Sequence, residues 1–121
     1  MILLALTLVA AQPADCRNAM TQLDIDSCAA EQARAAEADM NRVAAQLMRE
    51  LQARDRATPG RAGQERLRAA QRTWIDFREA QCRLAGLQAM DGSLEAALVT
   101  SCMRDMTERR ANELRMMLSG R

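Results

Sequence analysis

The segment from Leu67 to Cys82 constrains the fold more than any other, because it holds both aromatic side chains of the chain, Trp74 and Phe77. Its apolar positions recur at spacings of three and four, which places them on one face of an α-helix. This face consists of Leu67, Ala70, Trp74, Phe77, Gln81 and Leu84. With no other aromatic residue available, the pattern predicts that the other helices cover this face and that Trp74 lies at the centre of the core.

Two further helices are indicated on either side of this segment. Thr21 is a predicted N-cap, and the apolar stripe that follows it meets no Gly or Pro before about Ala57. The stripe consists of Ile25, Cys28 or Ala29, Gln32, Ala36, Met40, Val43, Leu47 and Leu51. The central helix is predicted over residues 64–87 and a third helix over residues 94–118. Joined by short loops, the three helices predict an all-α, up-down-up antiparallel bundle.

The positions of the four cysteines agree with this topology, since residues equidistant from a turn lie level in an antiparallel pair. Cys82 and Cys102 are each ten residues from Gly92, and Cys16 and Cys28 are placed in the same way about the start of the first helix. Among the three possible pairings we therefore predict Cys16 with Cys28 and Cys82 with Cys102. The chain has no histidine and no C-x-x-C pair, so the cysteines do not form a zinc-ligand pattern, and no metal or other cofactor is expected.

The first eleven residues form an apolar run that ends in Val9-Ala10-Ala11, an A-x-A-like cleavage site. We interpret residues 1–11 as a secretory signal peptide and residues 12–121 as one helical domain. The run is too short to span a bilayer. Signal peptide and disulfides together predict a periplasmic or secreted protein. A formal net charge of +1 gives no reason to expect binding to nucleic acid or to a membrane surface.

The chain lacks the residue sets of the common catalytic sites. Without histidine, Ser-His, Cys-His and metal-His mechanisms have no base or ligand, and no Gly-rich phosphate loop occurs. The carboxylate pairs Asp76 with Glu79 and Asp105 with Glu108 have arginines nearby, which favours ion pairs on solvated helix faces. We therefore predict that the protein is not an enzyme, with an amidase or hydrolase role the least favoured alternative.

A group of polar and aromatic residues is predicted to join the helices through partly buried hydrogen bonds. By the mirror relation about Gly92, Arg110 lies level with Trp74, where a guanidinium can pack on the indole ring. This structural role is favoured over direct contact with a partner. The predicted network consists of Asp39, Asn41, Trp74, Phe77, Arg78, Glu79 and Arg110.

Taken together, these residues resemble the lysozyme-inhibitor LprI-like family, a set of small secreted bacterial helical domains. The most specific match is the string A-Q-R-x-W-x-x-F-R-E-A-x-C over residues 70–82. The other matching positions are Asp15-Cys16, Thr21-Gln22, Cys28, residues 38–41, Gly92-Ser93, Cys102, Thr107, Arg110, Glu113 and Leu114. Ala44 stands where the family usually has an aromatic residue, and Glu79 where Asp is common. The resemblance implies a periplasmic or cell-surface location, two disulfides and, for at least one branch, binding to a lysozyme.

The leading functional hypothesis is therefore a non-enzymatic binding module whose protein partner is a lysozyme. The alternative is a structural or envelope-associated periplasmic domain without inhibitory activity, because the shared motif is of a structural kind. A c-type lysozyme is strongly basic, so its inhibitor is expected to present acidic surface. The near-neutral net charge of this chain counts against that expectation.

Two connections are candidates for a contact with a lysozyme cleft, which a rigid protruding loop would block. The connection over residues 58–63 has no disulfide near it and is expected to be mobile. The connection between the second and third helices is stapled by the Cys82–Cys102 pair, with Ser93 as the expected N-cap of the third helix. The predicted partner-binding residues there are Gln88, Met90, Asp91, Gly92 and Ser93. An ordinary helix connection is the structural alternative, and the acidic face around Glu31, Glu37 and Asp39 is the second candidate surface.

Overall fold

The computed structural model describes residues 16–118, so the signal peptide predicted at residues 1–11 lies outside the described residues. It contains three helices, α1 (Gln22–Ala57), α2 (Gly63–Gly86) and α3 (Glu95–Met117). A short 3-10 turn, Leu87–Ala89, follows α2. The helices pack together as an all-α bundle in which α2 runs antiparallel to the other two, as predicted, and the helix bounds agree with the sequence pattern to within one residue.

Local polar groups set the start and the end of α1. The Oγ1 atom of Thr21 accepts a hydrogen bond of 3.1 Å from the Asp24 N–H, which satisfies one of the free donors in the first helical turn. The helix ends where Thr58 takes an extended conformation and Pro59 follows. Gly60 then adopts a left-handed backbone with φ of 83°, which glycine accepts without strain. The chain can therefore reverse direction within a few residues.

The N-terminus of α2 is capped by a side chain from α1. Ala62, the residue before the helix, has a left-handed backbone and makes no side-chain cap. Instead, the Asp55 carboxylate accepts hydrogen bonds from the Gly63 N–H (2.9 Å) and the Gln64 N–H (3.0 Å). The connection that was expected to be mobile is thus tied to α1 at its α2 end. The hydrogen bond from Gln64, helped by the one from Gly63, holds the pKa of Asp55 below its ordinary value.

Replacing Asp55 by asparagine should destabilise the protein at about pH 7 and have little effect at acidic pH. A depressed folded-state pKa means that the carboxylate stabilises the fold above its unfolded-state pKa, and that this stabilisation is lost as the pH falls through the folded-state pKa. Urea unfolding of wild type and Asp55→Asn, followed by circular dichroism across this range, measures the difference. Asp76→Asn, on an exposed position of α2, is the matched control. An Asp55→Asn effect that is the same at all pH values would contradict the assignment.

The core lies mainly between α1 and α3, which share the most extensive contact of the bundle. Met40 and Leu114 are fully buried at its centre. The buried cluster consists of Met40, Val43, Leu47, Leu67, Ala111, Leu114 and Leu118. Trp74 is half-buried and packs against this cluster from outside. The prediction that Trp74 forms the centre of the core is therefore wrong.

The face of α2 predicted to be covered is largely exposed. Phe77 is 57% exposed and Leu84 is 60% exposed, because α2 turns a different face inward. That inner face carries Arg78, Cys82 and Gly86, which are spaced by four residues and are all buried. The disulfide from Cys82 to α3 fixes this rotation of the helix. Gly86 permits the close approach, since a Cβ atom there would lie 2.8 Å from Cγ2 of Val99.

The disulfide pairing predicted from the sequence is confirmed. Cys16 is joined to Cys28 and Cys82 to Cys102, with Cα atoms 5.5 Å and 5.4 Å apart. The first bond ties the lead-in segment to α1, and the second ties α2 to α3. Ile25, which the apolar stripe of α1 placed inside, is instead 45% exposed. Cys28 is the only buried residue in the first three turns of this helix.

Candidate functional site

Backbone and side-chain hydrogen bonds order the connection between α2 and α3. The Gly92 N–H donates to the Ala89 carbonyl at 2.9 Å, and the Asp91 N–H donates to Oε2 of Glu95 at 3.2 Å. Asp91 has a left-handed backbone, with φ of 63°. Ser93 is not the N-cap of α3, a prediction that was wrong: Leu94 occupies that position without a side-chain cap. Glu95, in the first helical turn, makes the stabilising contact instead.

The five residues predicted to bind a partner are all exposed on this connection. They are Gln88, Met90, Asp91, Gly92 and Ser93. Three large apolar side chains close to them in the chain, Leu84, Leu87 and Leu94, are also more than half exposed. Met90 is exposed to 61%. The Cys82–Cys102 disulfide closes the base of the connection, so these apolar groups are presented on a short, cross-linked hairpin of helices.

Arg78 joins the three helices near the middle of the bundle. Its guanidinium is buried and donates to the Glu37 carboxylate on α1 (2.5 Å) and to the Thr107 hydroxyl on α3 (3.1 Å). A third hydrogen bond, of 3.1 Å, goes to Glu79. The Cζ atom also lies 5.0 Å from the centroid of the Trp74 ring, within range of a cation–π interaction. One side chain therefore fixes the relative level of all three helices.

Arg110 approaches Trp74 from α3, at the level that the mirror relation about Gly92 predicts. Its Cζ atom lies 5.9 Å from the centroid of the Trp74 ring. Its Nε atom donates to Oε1 of Gln71 at 2.8 Å, and a terminal nitrogen pairs with Glu113 at 3.1 Å. The indole ring thus has a guanidinium from α2 and another from α3 near it, which makes Trp74 a junction between these helices.

The other residues of the predicted network lie elsewhere. Asp39 forms an ion pair with Arg115, which links α1 to α3. Asn41 and Phe77 are exposed, so both were wrongly placed in a buried network. Glu37 and Thr107 belong to the network and were missed. Thr107 could have been found from the sequence, because it is fifteen residues after Gly92 and Arg78 is fourteen residues before it.

The contacts of Arg78 with Glu37 and Thr107 mark one level across the bundle and divide it into two ends. Residues 16–36 and 79–106 lie on the side of the α2–α3 connection, and we call them the hairpin end. The remaining described residues, apart from Glu37 and Arg78 themselves, form the turn end. Because α1 and α3 run parallel, the start of α1 lies at the hairpin end together with the start of α3.

Charge and exposed apolar surface are unequally divided between these ends. The hairpin end carries seven carboxylates and four arginines, a net charge of −3, whereas the turn end carries eleven arginines and seven carboxylates, a net charge of +4. Of the ten large hydrophobic side chains that residues 16–118 expose, seven lie at the hairpin end. These seven are Met20, Leu23, Ile25, Leu84, Leu87, Met90 and Leu94. The near-zero net charge of the chain therefore conceals an acidic, apolar end and a basic end.

The described part of the chain shows no metal-binding cluster and no membrane span, and it has a groove beside Trp74. Within residues 16–118, no cluster of three or more His, Cys, Asp or Glu side chains could hold a metal ion. No helix in the same range is long and apolar enough to cross a membrane. A groove of about 380 Å³ runs between α2 and α3 beside Trp74 and Phe77, with Gln81, Met106, Arg109 and Glu113 completing its walls. Its lining is mixed, with one arginine and one glutamate.

Residues 14–114 match the family model described as lysozyme inhibitor LprI. This chain belongs to the LprI family. It is also 38% identical over 109 residues to the uncharacterized protein R02472 of Rhizobium meliloti (strain 1021), an alignment that covers 86% of this chain and 78% of that protein. No solved structure matches the chain. The LprI match spans both disulfides, the Arg78 network and the α2–α3 connection.

Proposed function

We propose that this LprI-family protein is a periplasmic or secreted, non-enzymatic module that binds and inhibits a lysozyme. The observation that carries the proposal is the family match over residues 14–114, since the family is described by that activity. Two disulfides, which persist in oxidising compartments, and the predicted signal peptide support a location outside the cytoplasm. The disulfides and the predicted signal peptide therefore favour a compartment in which the protein would meet a lysozyme.

We infer that the hairpin end makes the contact. A basic enzyme is attracted by an acidic surface, which raises the association rate and orients the two proteins before they touch. Exposed apolar side chains then supply the anchors that contribute most of the binding energy at protein interfaces. The hairpin end offers both, with a net charge of −3 and seven exposed large hydrophobic residues. The near-neutral net charge of the chain counted against binding to a basic enzyme. The uneven distribution of charge between the two ends answers that objection.

The rigidity of the α2–α3 connection supports the same surface. Association is weakened by the entropy lost when loops become ordered, so a pre-ordered loop binds more tightly than a mobile one. Here the Cys82–Cys102 disulfide closes the hairpin, and the hydrogen bond from Asp91 to Glu95 holds its tip. Met90, on that tip, is the exposed apolar group best placed to enter a cleft.

An assay of cell-wall lysis by a basic lysozyme tests the proposal. The purified protein, residues 12–121, should inhibit lysis in a saturable manner when it is added in increasing amounts. A sample that is reduced, alkylated and freed of reductant before the assay shows whether inhibition requires the two disulfides. Unchanged lysis in the presence of an excess of folded protein would favour the alternative, a structural or envelope-associated domain.

Replacing Met90 by alanine together with Asp91 by asparagine should weaken inhibition by about tenfold or more, since it removes one anchor and one charge from the hairpin tip. Asparagine is chosen because it tolerates the left-handed backbone at φ of 63°. The helical circular dichroism should not change. The matched control is Met116→Ala with Asp76→Asn, the same changes at exposed positions of the turn end. Equal inhibition by both double variants would place the contact elsewhere, with the surface around Glu31, Glu37 and Asp39 the next candidate.

A further inference from the structure

A second concave surface lies at the turn end, where the three helices enclose a groove of about 490 Å³. Its walls are apolar side chains from α1, α2 and α3. They are Leu47, Leu51, Leu67, Ala70 and Met117. Leu47 and Leu67 are part of the buried core, so the groove opens directly onto it. A volume of this size lies within the range of small-molecule sites, about 300–1,000 Å³.

Four arginines surround this apolar groove. Arg54 comes from α1, Arg61 from the α1–α2 connection, Arg66 from α2 and Arg110 from α3. Each helix therefore contributes at least one guanidinium to the rim. No carboxylate is among the residues that line the groove. An apolar interior with cationic groups at its edge is complementary to a molecule that has an apolar body and an anionic end.

Arg61 and Arg66 are the rim arginines best placed to bind an anion, because Arg110 is already held by Gln71 and Glu113. The ion pair between Arg61 and Asp55 is long, at 4.0 Å. The Asp55 oxygens are already held by the Gly63 and Gln64 N–H groups. A pair this long, whose arginine side chain is 38% exposed, contributes little free energy and can exchange with another anion. The turn end as a whole has a net charge of +4, which adds a long-range attraction.

We propose that the groove binds a single-chain amphiphile with an anionic head group, such as the carboxylate of a fatty acid. The acyl chain lies against Leu47, Leu51 and Leu67, and the head group is held by Arg61 and Arg66 at the rim. A second copy of the chain fits less well, because a symmetric contact through this groove would bring two sets of four guanidinium groups together. The site is at the opposite end from the proposed lysozyme contact, so neither proposal depends on the other.

Titration of the protein with dodecanoate below its micelle concentration tests the proposal. Calorimetry should show saturable binding to one site per chain. Because Arg110 both lines the groove and lies 5.9 Å from the ring of the only tryptophan, the emission of Trp74 should change over the same concentrations. Dodecyltrimethylammonium has the same alkyl chain and the opposite charge, and its affinity should be lower by about tenfold or more. Acetate should show no saturable binding. Equal binding of the cationic amphiphile would overturn the proposal.

A charge-reversed variant locates the site. Arg61→Glu with Arg66→Glu should weaken dodecanoate binding by about tenfold or more, whereas Arg49→Glu with Arg56→Glu should change it by less than about twofold. The second pair is the matched control: both residues are exposed on α1 at the turn end and lie outside the groove lining. Circular dichroism verifies that both variants are folded. Equal affinities of the two variants for dodecanoate would overturn the proposal. It would also be overturned if the wild type sedimented as a dimer and only the Arg61/Arg66 variant sedimented as a monomer.

Discussion

Replacing Arg78 by alanine should lower the free energy of unfolding by about 2–4 kcal/mol. The guanidinium is 5% exposed and bonds to Glu37, Glu79 and Thr107. Both glutamates are about two-fifths exposed and can be rehydrated, so their loss of a partner is partly offset. The Thr107 hydroxyl is 1% exposed and would lose its partner in a buried site, which costs about 1–3 kcal/mol. Lost packing of the Arg78 side chain and its cation–π contact with Trp74 add to this.

Urea unfolding of Arg78→Ala against wild type measures this loss. Arg72→Ala is the matched control, since Arg72 lies on the same helix at an exposed position, and its effect should stay within about 0.5 kcal/mol. Arg78→Lys should recover only part of the stability, because an ammonium group cannot reproduce the planar arrangement of donors that reaches three partners. If Arg78→Ala and Arg72→Ala had equal effects, the buried network would not hold the helices together.

Replacing Met40 by alanine should destabilise the protein by about 2–5 kcal/mol. Met40 is fully buried at the centre of the α1–α3 core, where it packs in one cluster with Val43 and Leu114. Truncation removes apolar contacts and leaves a cavity that the long, rigid helices can close only partly. Met40 should therefore matter more than the exposed Phe77, the larger side chain.

Met116→Ala is the control for this prediction, because it makes the same chemical change at a position that is 78% exposed. Its effect should stay within about 0.5 kcal/mol. Thermal unfolding followed by circular dichroism compares the two variants with wild type. A Met40→Ala protein as stable as Met116→Ala would mean that the core is not centred between α1 and α3.

The sequence was sufficient to predict the helix bounds and the disulfide pairing, because both follow from local signals. Thr21 and the Pro59-Gly60 pair mark the two ends of α1. The equal distances of Cys82 and Cys102 from the turn report an antiparallel pair directly. Both signals can be read from the sequence without knowing which face of each helix is buried.

The rotation of α2 could not be predicted from its apolar pattern alone. Two stripes compete on this helix: one carries Trp74 and Phe77, and the other carries Arg78 and Cys82. The size of the aromatic residues favoured the first stripe, but the disulfide from Cys82 turns the second one inward. A cysteine predicted to bond to a neighbouring helix is therefore a stronger indicator of the inner face than an aromatic residue.

The position of the α2–α3 connection was predicted from the sequence, but its backbone and capping details were not. The α2–α3 connection is exposed, as expected, but the left-handed backbone of Asp91 and its hydrogen bond to the Glu95 side chain were not predicted. The capping of α2 by Asp55 joins residues eight and nine positions apart across a turn, a distance that no local capping pattern covers. The acidic hairpin end also depends on the helix directions, because its charges come from separate parts of the chain.

The most direct test of the proposed function is a calorimetric titration of residues 12–121 into a basic lysozyme at low and at high salt. The account predicts saturable binding at low salt and a lower affinity at high salt, because an acidic hairpin end attracts a basic enzyme through charges that salt screens. The Met90→Ala, Asp91→Asn variant should bind more weakly at both salt concentrations. The absence of binding at low salt, with protein that is folded by circular dichroism, would contradict the account.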